Sequence, residues 1–233
     1  MNNLFGNLPV VTKNLLIINV LVFLASLLLP SMYGLFGIFY PDSPAFKVWQ
    51  IITYMFMHSN SGIAHIFFNM FALVMFGATI ERVLGSKRYL NFYLICGLGA
   101  LVLQYGVQAY EVYQITGSIR PLHELSEAAL SQVSGENLTS LQNIYSTPMV
   151  GASGAIYGLL LAFGFLFPNA ELMLIFFPIP VKAKYFIPGL ILIEIYLGFS
   201  HGGSSIAHLA HVGGALFGYI LLKAWNIRRP NMY

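Results

Sequence analysis

Six apolar runs decide what this chain can fold into. They cover about Leu15 to Leu29, Ile63 to Ile80, Tyr89 to Tyr105, Met149 to Phe167, Tyr185 to Phe199 and Ile206 to Trp225. A helix crossing the hydrocarbon core needs roughly 20 mostly apolar residues. Lipid also demands that every backbone polar group be paired within the segment, so each run reads as a spanning helix. Composition removes the soluble alternative: 8% of the 233 residues are charged, against about 25% in a soluble domain. The expectation is an all-α membrane protein, a bundle of six transmembrane helices forming one domain over residues 1–233, with its core at about 14–225. The first run stops at Pro30 with no small-x-small cleavage pattern close behind, so it reads as an uncleaved span.

Two stretches lie outside the spans. Leu172 to Val181 is apolar, but it is ten residues long and holds Pro178 and Pro180, so it reads as an interfacial or re-entrant connection. Residues 111–147 are polar and read as an extracytoplasmic loop. Leu122, Leu125, Ala129 and Val133 recur there at helical spacing, which predicts a short amphipathic helix.

Orientation follows lysine and arginine. Six spans put Lys13, Arg82, Lys87, Arg88, Lys182, Lys184, Lys223, Arg228 and Arg229 on one side and Lys47 and Arg120 on the other. Both termini are therefore expected in the cytoplasm. The net charge of +3 and the lack of a long basic run give no nucleic-acid surface. Cys96 is the single cysteine, so neither an intrachain disulfide nor a thiolate metal cluster is available.

Ionisable and polar groups inside spans are costly and usually functional. The second span carries His65 and Asn69 on one helical face. The fourth opens with Gly151-Ala152-Ser153-Gly154, with Tyr157 one turn below Ser153, and the sixth carries His208 and His211. In a six-span topology the second, fourth and sixth spans run in the same direction. Asn69, Ser153 and His211 then lie about 6–10 Å below the outer boundary. Gly154 with Gly158, and Gly214 with Gly218, form small-xxx-small pairs that let helices approach closely, and they adjoin Ser153 and His211. A neutral histidine can take the proton of a serine that attacks a peptide carbonyl. The oxyanion then needs donors already in place, and His65, Asn69 and the Ser153 N–H are the candidates. Asp42, the single aspartate, lies in a loop far from these spans, so the residues read as a serine–histidine dyad without an orienting carboxylate. Glu194, the one acid within a span, gets no role beyond pairing in the bundle. His58 is expected at the outer surface, and Glu81 and Arg82 are expected to fix the loop after the second span.

Four segments together resemble the rhomboid family of intramembrane serine proteases: His65-Ile-Phe-Phe-Asn69, Gly77-Ala-Thr-Ile-Glu-Arg-Val-Leu-Gly85, Gly151-Ala-Ser-Gly-Ala-Ile-Tyr-Gly158 and Ala210-His-Val-Gly-Gly-Ala-Leu-Phe-Gly218. The likeness runs from about Trp49 to Gly218. It implies a six-helix fold, a Ser153–His211 dyad, an oxyanion site with His65, Asn69 and Gly151, and Tyr157 stacked on His211. It departs from the family at Gln50, where many members carry an arginine after the tryptophan, and this bears on the first loop.

The implied activity is endopeptidase cleavage of transmembrane protein substrates in the bilayer, often beside a small residue, without cofactor, metal or nucleic acid. The site would open to the extracytoplasmic side. The Ser200–Ser204 connection would cover it, and the outer end of the fifth span would flank the entrance. The lack of an Arg-rich leader favours a bacterial plasma membrane. Two other readings compete. A catalytically dead rhomboid-like binding protein would be expected to have lost the serine or the histidine. A transporter or metal-binding protein would need carboxylates or further histidines beside His58, His65, His208 and His211.

Overall fold

A computed structural model describes residues 8–60, 62–174, 177–200 and 205–230. Each of the six apolar runs is a helix: α1 (Val10–Leu28), α2 (Ile63–Leu84), α3 (Ser86–Thr116), α4 (Ser153–Leu166), α5 (Ala183–Ser200) and α6 (Ser205–Ala224). Among the described residues, α1, α2 and α3 are long and apolar enough to cross a membrane, and α4 is a shorter apolar helix. The chain is thus a mostly helical membrane protein. Punctuation residues set the limits. Pro30 follows α1, and α2 passes into α3 through Gly85. α2 contains a π-helical turn at Leu73–Gly77.

Helices α3, α4 and α6 pack most closely, with α5 laid mainly on α6 and α1 on the flank of α2. Tyr89, Phe92, Tyr93 and Cys96 of α3, Leu159 and Leu166 of α4 and Leu222 of α6 share one buried cluster. Glycine permits the closest approach. A Cβ on Gly214 of α6 would fall on the Gly154 carbonyl of α4, and one on Gly218 would lie 3.0 Å from the Gly158 Cα. The two small-xxx-small pairs therefore face each other, backbone on backbone.

Buried polar side chains pin the rest. The Glu81 carboxylate of α2 accepts from the Val11 N–H (3.0 Å), the Thr12 N–H (2.7 Å), the Thr12 hydroxyl (2.8 Å) and the Ser86 hydroxyl (2.7 Å). It thereby caps the first turn of α1 and the start of α3, where orphan N–H groups and the helix dipole favour an anion. Gln50, the departure noted above, is fully buried in the first loop. It accepts from the Lys47 N–H (2.9 Å) and donates to the Gly34 and Ala45 carbonyls (3.2 Å each). One amide thus ties three points of that loop.

Two connections differ from their expected form. Leu172 to Val181 lies in an antiparallel hairpin, β1 (Glu171–Leu174) with β2 (Phe177–Lys182), Leu172 pairing with Val181 and Met173 with Pro180. Pairing of its own two strands satisfies a backbone too short to span. The helix expected over Leu122 to Val133 is broken into two single turns, Pro121–Glu124 and Glu127–Leu130, because Ser126 stops the first and caps the second by accepting from the Ala129 N–H. The longer helix lies beyond it at Gly135–Ser146. Buried Asp42 holds this region to the first loop, accepting from the Leu122 N–H (3.0 Å) and the Tyr145 hydroxyl (2.9 Å), with the His123 ring on its other oxygen.

Candidate active site

The chain enters α4 through a turn only glycine makes cheaply. Gly151 has φ +137°, and its N–H donates to the Tyr54 carbonyl at 3.0 Å. Just upstream, Ile38 and Met149 form an antiparallel bridge that anchors the segment to the first loop. Ser153 follows as the first residue of α4. The amides of that first turn have no acceptor within the helix, and they sit at its positive end.

Ser153 and His211, expected at one depth, meet: Ser153 Oγ lies 2.8 Å from His211 Nε2. Tyr157, one turn below Ser153, stacks on the His211 ring with centroids 4.3 Å apart and planes 4° from parallel. His65 comes from α2 to the other side. A Cβ placed on Gly151 would lie 3.4 Å from Ser153 Oγ and 3.7 Å from His65 Nε2, so the three residues border one small space. The Ser59 N–H donates to His65 Nδ1 at 3.4 Å, which leaves Nε2 as the protonated nitrogen facing that space. Asn69 is directed differently: its Nδ2 donates 2.8 Å to the His65 carbonyl, one turn back on its own helix. His58 is fully buried rather than superficial, its ring 5.4 Å from that of His65, and its nitrogens have no hydrogen-bond partner among the described residues.

The expected lack of an orienting carboxylate does not hold. Glu194 of α5, 8% exposed, reaches this cluster. Its Oε2 lies 3.0 Å from His211 Nδ1 and 2.7 Å from His208 Nδ1, and its Oε1 accepts from the Tyr157 hydroxyl. The ligand atoms of Glu194, His208 and His211 all lie within 4.8 Å of one another, close enough to share a cation. A signal for Glu194 was present in the sequence. It stands six residues before the end of α5, and His211 stands six after the start of α6, so a hairpin of the two helices puts them at one level. The Ser200–Ser204 connection expected to cover the site falls, for residues 201–204, outside the described residues.

The rhomboid-domain family model matches residues 45–225. The chain is similar to RHOMBOID-like protein 12, mitochondrial, of Arabidopsis thaliana, with 34% identity over 170 residues, 72% of this chain and 44% of that protein. It is similar to rhomboid protease AarA of Providencia stuartii, with 28% identity over 187 residues, 76% of this chain and 56% of that protein. Rhomboid protease GluP of Bacillus subtilis is 27% identical over 187 residues, 79% of this chain and 27% of that protein. The chain spans about half or less of the length of these curated relatives.

Proposed function

This chain belongs to the rhomboid family, and from that premise we propose that it is an intramembrane serine endopeptidase acting on transmembrane proteins. The observation that carries the reading is the 2.8 Å contact between Ser153 Oγ and His211 Nε2 at the start of α4. Ser153 attacks the scissile carbonyl while His211 takes its proton. His211 then returns that proton to the leaving amine, and water releases the acyl group by the same route. The oxyanion is received by the Ser153 N–H and His65 Nε2–H, with Gly151 keeping the space between them clear. Asn69 supports this by holding the His65 carbonyl. Tyr157 keeps the imidazole plane fixed, and the glycine pairs hold α4 against α6.

The six helices are proposed to span as one domain, with the lysine- and arginine-rich side and both termini in the cytoplasm of a bacterial plasma membrane. Residues 111–147 and the mouth of the site then lie on the opposite face. Purified protein in liposomes should cleave a single-span substrate, and Ser153→Ala and His211→Ala should each abolish this. The double variant should be little worse than either, because the two act as a unit. Cleavage at the wild-type rate by Ser153→Ala overturns the proposal.

A second reading is favoured by one observation, the convergence of Glu194, His208 and His211. It makes the cluster a metal site, in which case chelation would remove activity and zinc would restore it.

A further inference from the structure

Glu194 occupies a place that the serine and histidine alone do not account for. Three donors converge on its carboxylate from two other helices: the Tyr157 hydroxyl of α4 on Oε1, and His208 Nδ1 (2.7 Å) and His211 Nδ1 (3.0 Å) of α6 on Oε2. An ionised carboxylate only accepts, so both rings carry their proton on Nδ1 in this arrangement. For His211 this leaves the lone pair on Nε2, aimed at Ser153 Oγ 2.8 Å away. That is the tautomer a general base requires. The opposite tautomer would present an N–H to the serine and could accept nothing.

We propose that Glu194 is the positioning residue of the site, so that Ser153, His211 and Glu194 form a triad whose third member comes from α5. The inference rests on the protease reading above. Glu194 fixes the Nδ1–H tautomer and ring orientation of His211. It also stabilises the imidazolium formed when His211 takes the serine proton. That proton stays on His211 and goes from there to the leaving amine, while the carboxylate remains ionised throughout. Tyr157 and His208 act one step further out. Their donors occupy both carboxylate oxygens and restrict Glu194 to the rotamer that meets His211. Because the base sits on α6 and its orienting group on α5, displacing the outer half of α5 from α6 would disarm Ser153 without moving either reacting residue.

A merely structural role, a buried polar tie between helices, predicts different behaviour on substitution. Glu194→Gln keeps the size but removes the charge and replaces one accepting oxygen with an N–H donor, so the partners on both oxygens can no longer all be accepted. In a folded protein it should lower kcat, and the rate of fluorophosphonate labelling at Ser153, by about 10²–10⁴-fold with KM little changed. Glu194→Asp, which restores a carboxylate, should recover most of that loss. Wild-type kcat and labelling in folded Glu194→Gln, or an Asp variant as impaired as the Gln variant, overturns the proposal. Should the Gln variant fail to fold, nitrogen-15 histidine spectra of the unmodified protein decide, assigned by comparison with His211→Gln. The proposal expects Nδ1–H on His211 at neutral pH, and an Nε2–H tautomer refutes it. An unmodified protein that neither cleaves nor labels would instead count against the protease reading itself.

Discussion

Gly214→Ala strikes the contact that brings Ser153 to His211. The added Cβ would fall on the Gly154 carbonyl and 3.1 Å from the Gly154 Cα. Backbone atoms cannot swing aside as the end of a side chain can, and the Cβ would stand 1.8 Å from the Gly154 carbonyl oxygen, so α4 and α6 must part by more than about 1.5 Å to regain ordinary contact distances. Overpacking of this kind costs about 1–3 kcal/mol of stability. The larger effect falls on turnover. Ser153 adjoins Gly154 and His211 lies one turn from Gly214, so parting the helices stretches the 2.8 Å Oγ–Nε2 contact. A displacement of about 1 Å at reacting groups costs on the order of 10²-fold in rate. Gly106→Ala on α3 is the control, because nothing lies within 4 Å of the added Cβ. Thermal unfolding in detergent and initial rates on a single-span substrate in liposomes measure both effects. A folded Gly214→Ala protein that turns over like wild type, with Gly106→Ala equal to it, would refute the reasoning.

Other consequences follow from buried polar groups. Glu81→Ala leaves the Val11 and Thr12 amides without their charged acceptor; two such hydrogen bonds amount to about 3 kcal/mol, read as a lowered melting temperature, and an unchanged melt would contradict the cap. Burial, aided by the neighbouring His65, holds His58 down to about 4, whereas an unfolded histidine titrates near about 6.5. The folded state then binds fewer protons between these values, so stability should fall as pH drops through that window, by up to about 3 kcal/mol. A His58→Phe variant should show a flatter dependence of melting temperature on pH, and identical slopes in the two proteins would count against it. Chelators should leave proteolysis unchanged, since His211 Nε2 and Ser153 need a neutral base rather than a cation; activity lost in chelator and restored by zinc would favour the metal reading.

What the sequence reveals of this molecule depends on whether the signal is local. Apolar runs and the break at Pro30 are local, and the helices follow them to within about five residues, except that α3 runs on eleven residues past Tyr105 to Thr116, into the segment expected to be loop. The meeting of Ser153 and His211 was legible because, in the six-span reading, depth along helices running in one direction is a one-dimensional quantity. Glu194 stood out as the one acid within a span, but its place beside His211 was not read, because its partners lie 14, 17 and 37 residues away, on helices whose facing sides no periodicity specifies. Counting inward from the α5–α6 turn would have found it. The broken segment after Pro121 shows the converse. Leucine spacing alone predicted a helix there, and the competing hydrogen bond of Ser126 to the Ala129 N–H ended it. Asp42 carries a third lesson: an acid in a loop read as remote from the chemistry is buried there as the anchor of residues 122–145.

The central claim is that Ser153 is a nucleophile activated by His211, and covalent labelling tests it most directly. Purified protein treated with a fluorophosphonate and mapped by mass spectrometry should carry one adduct, on Ser153, and His211→Ala should abolish it while leaving the melt within a few degrees of wild type. An adduct on a different residue, or undiminished labelling of Ser153 in His211→Ala, would contradict the account.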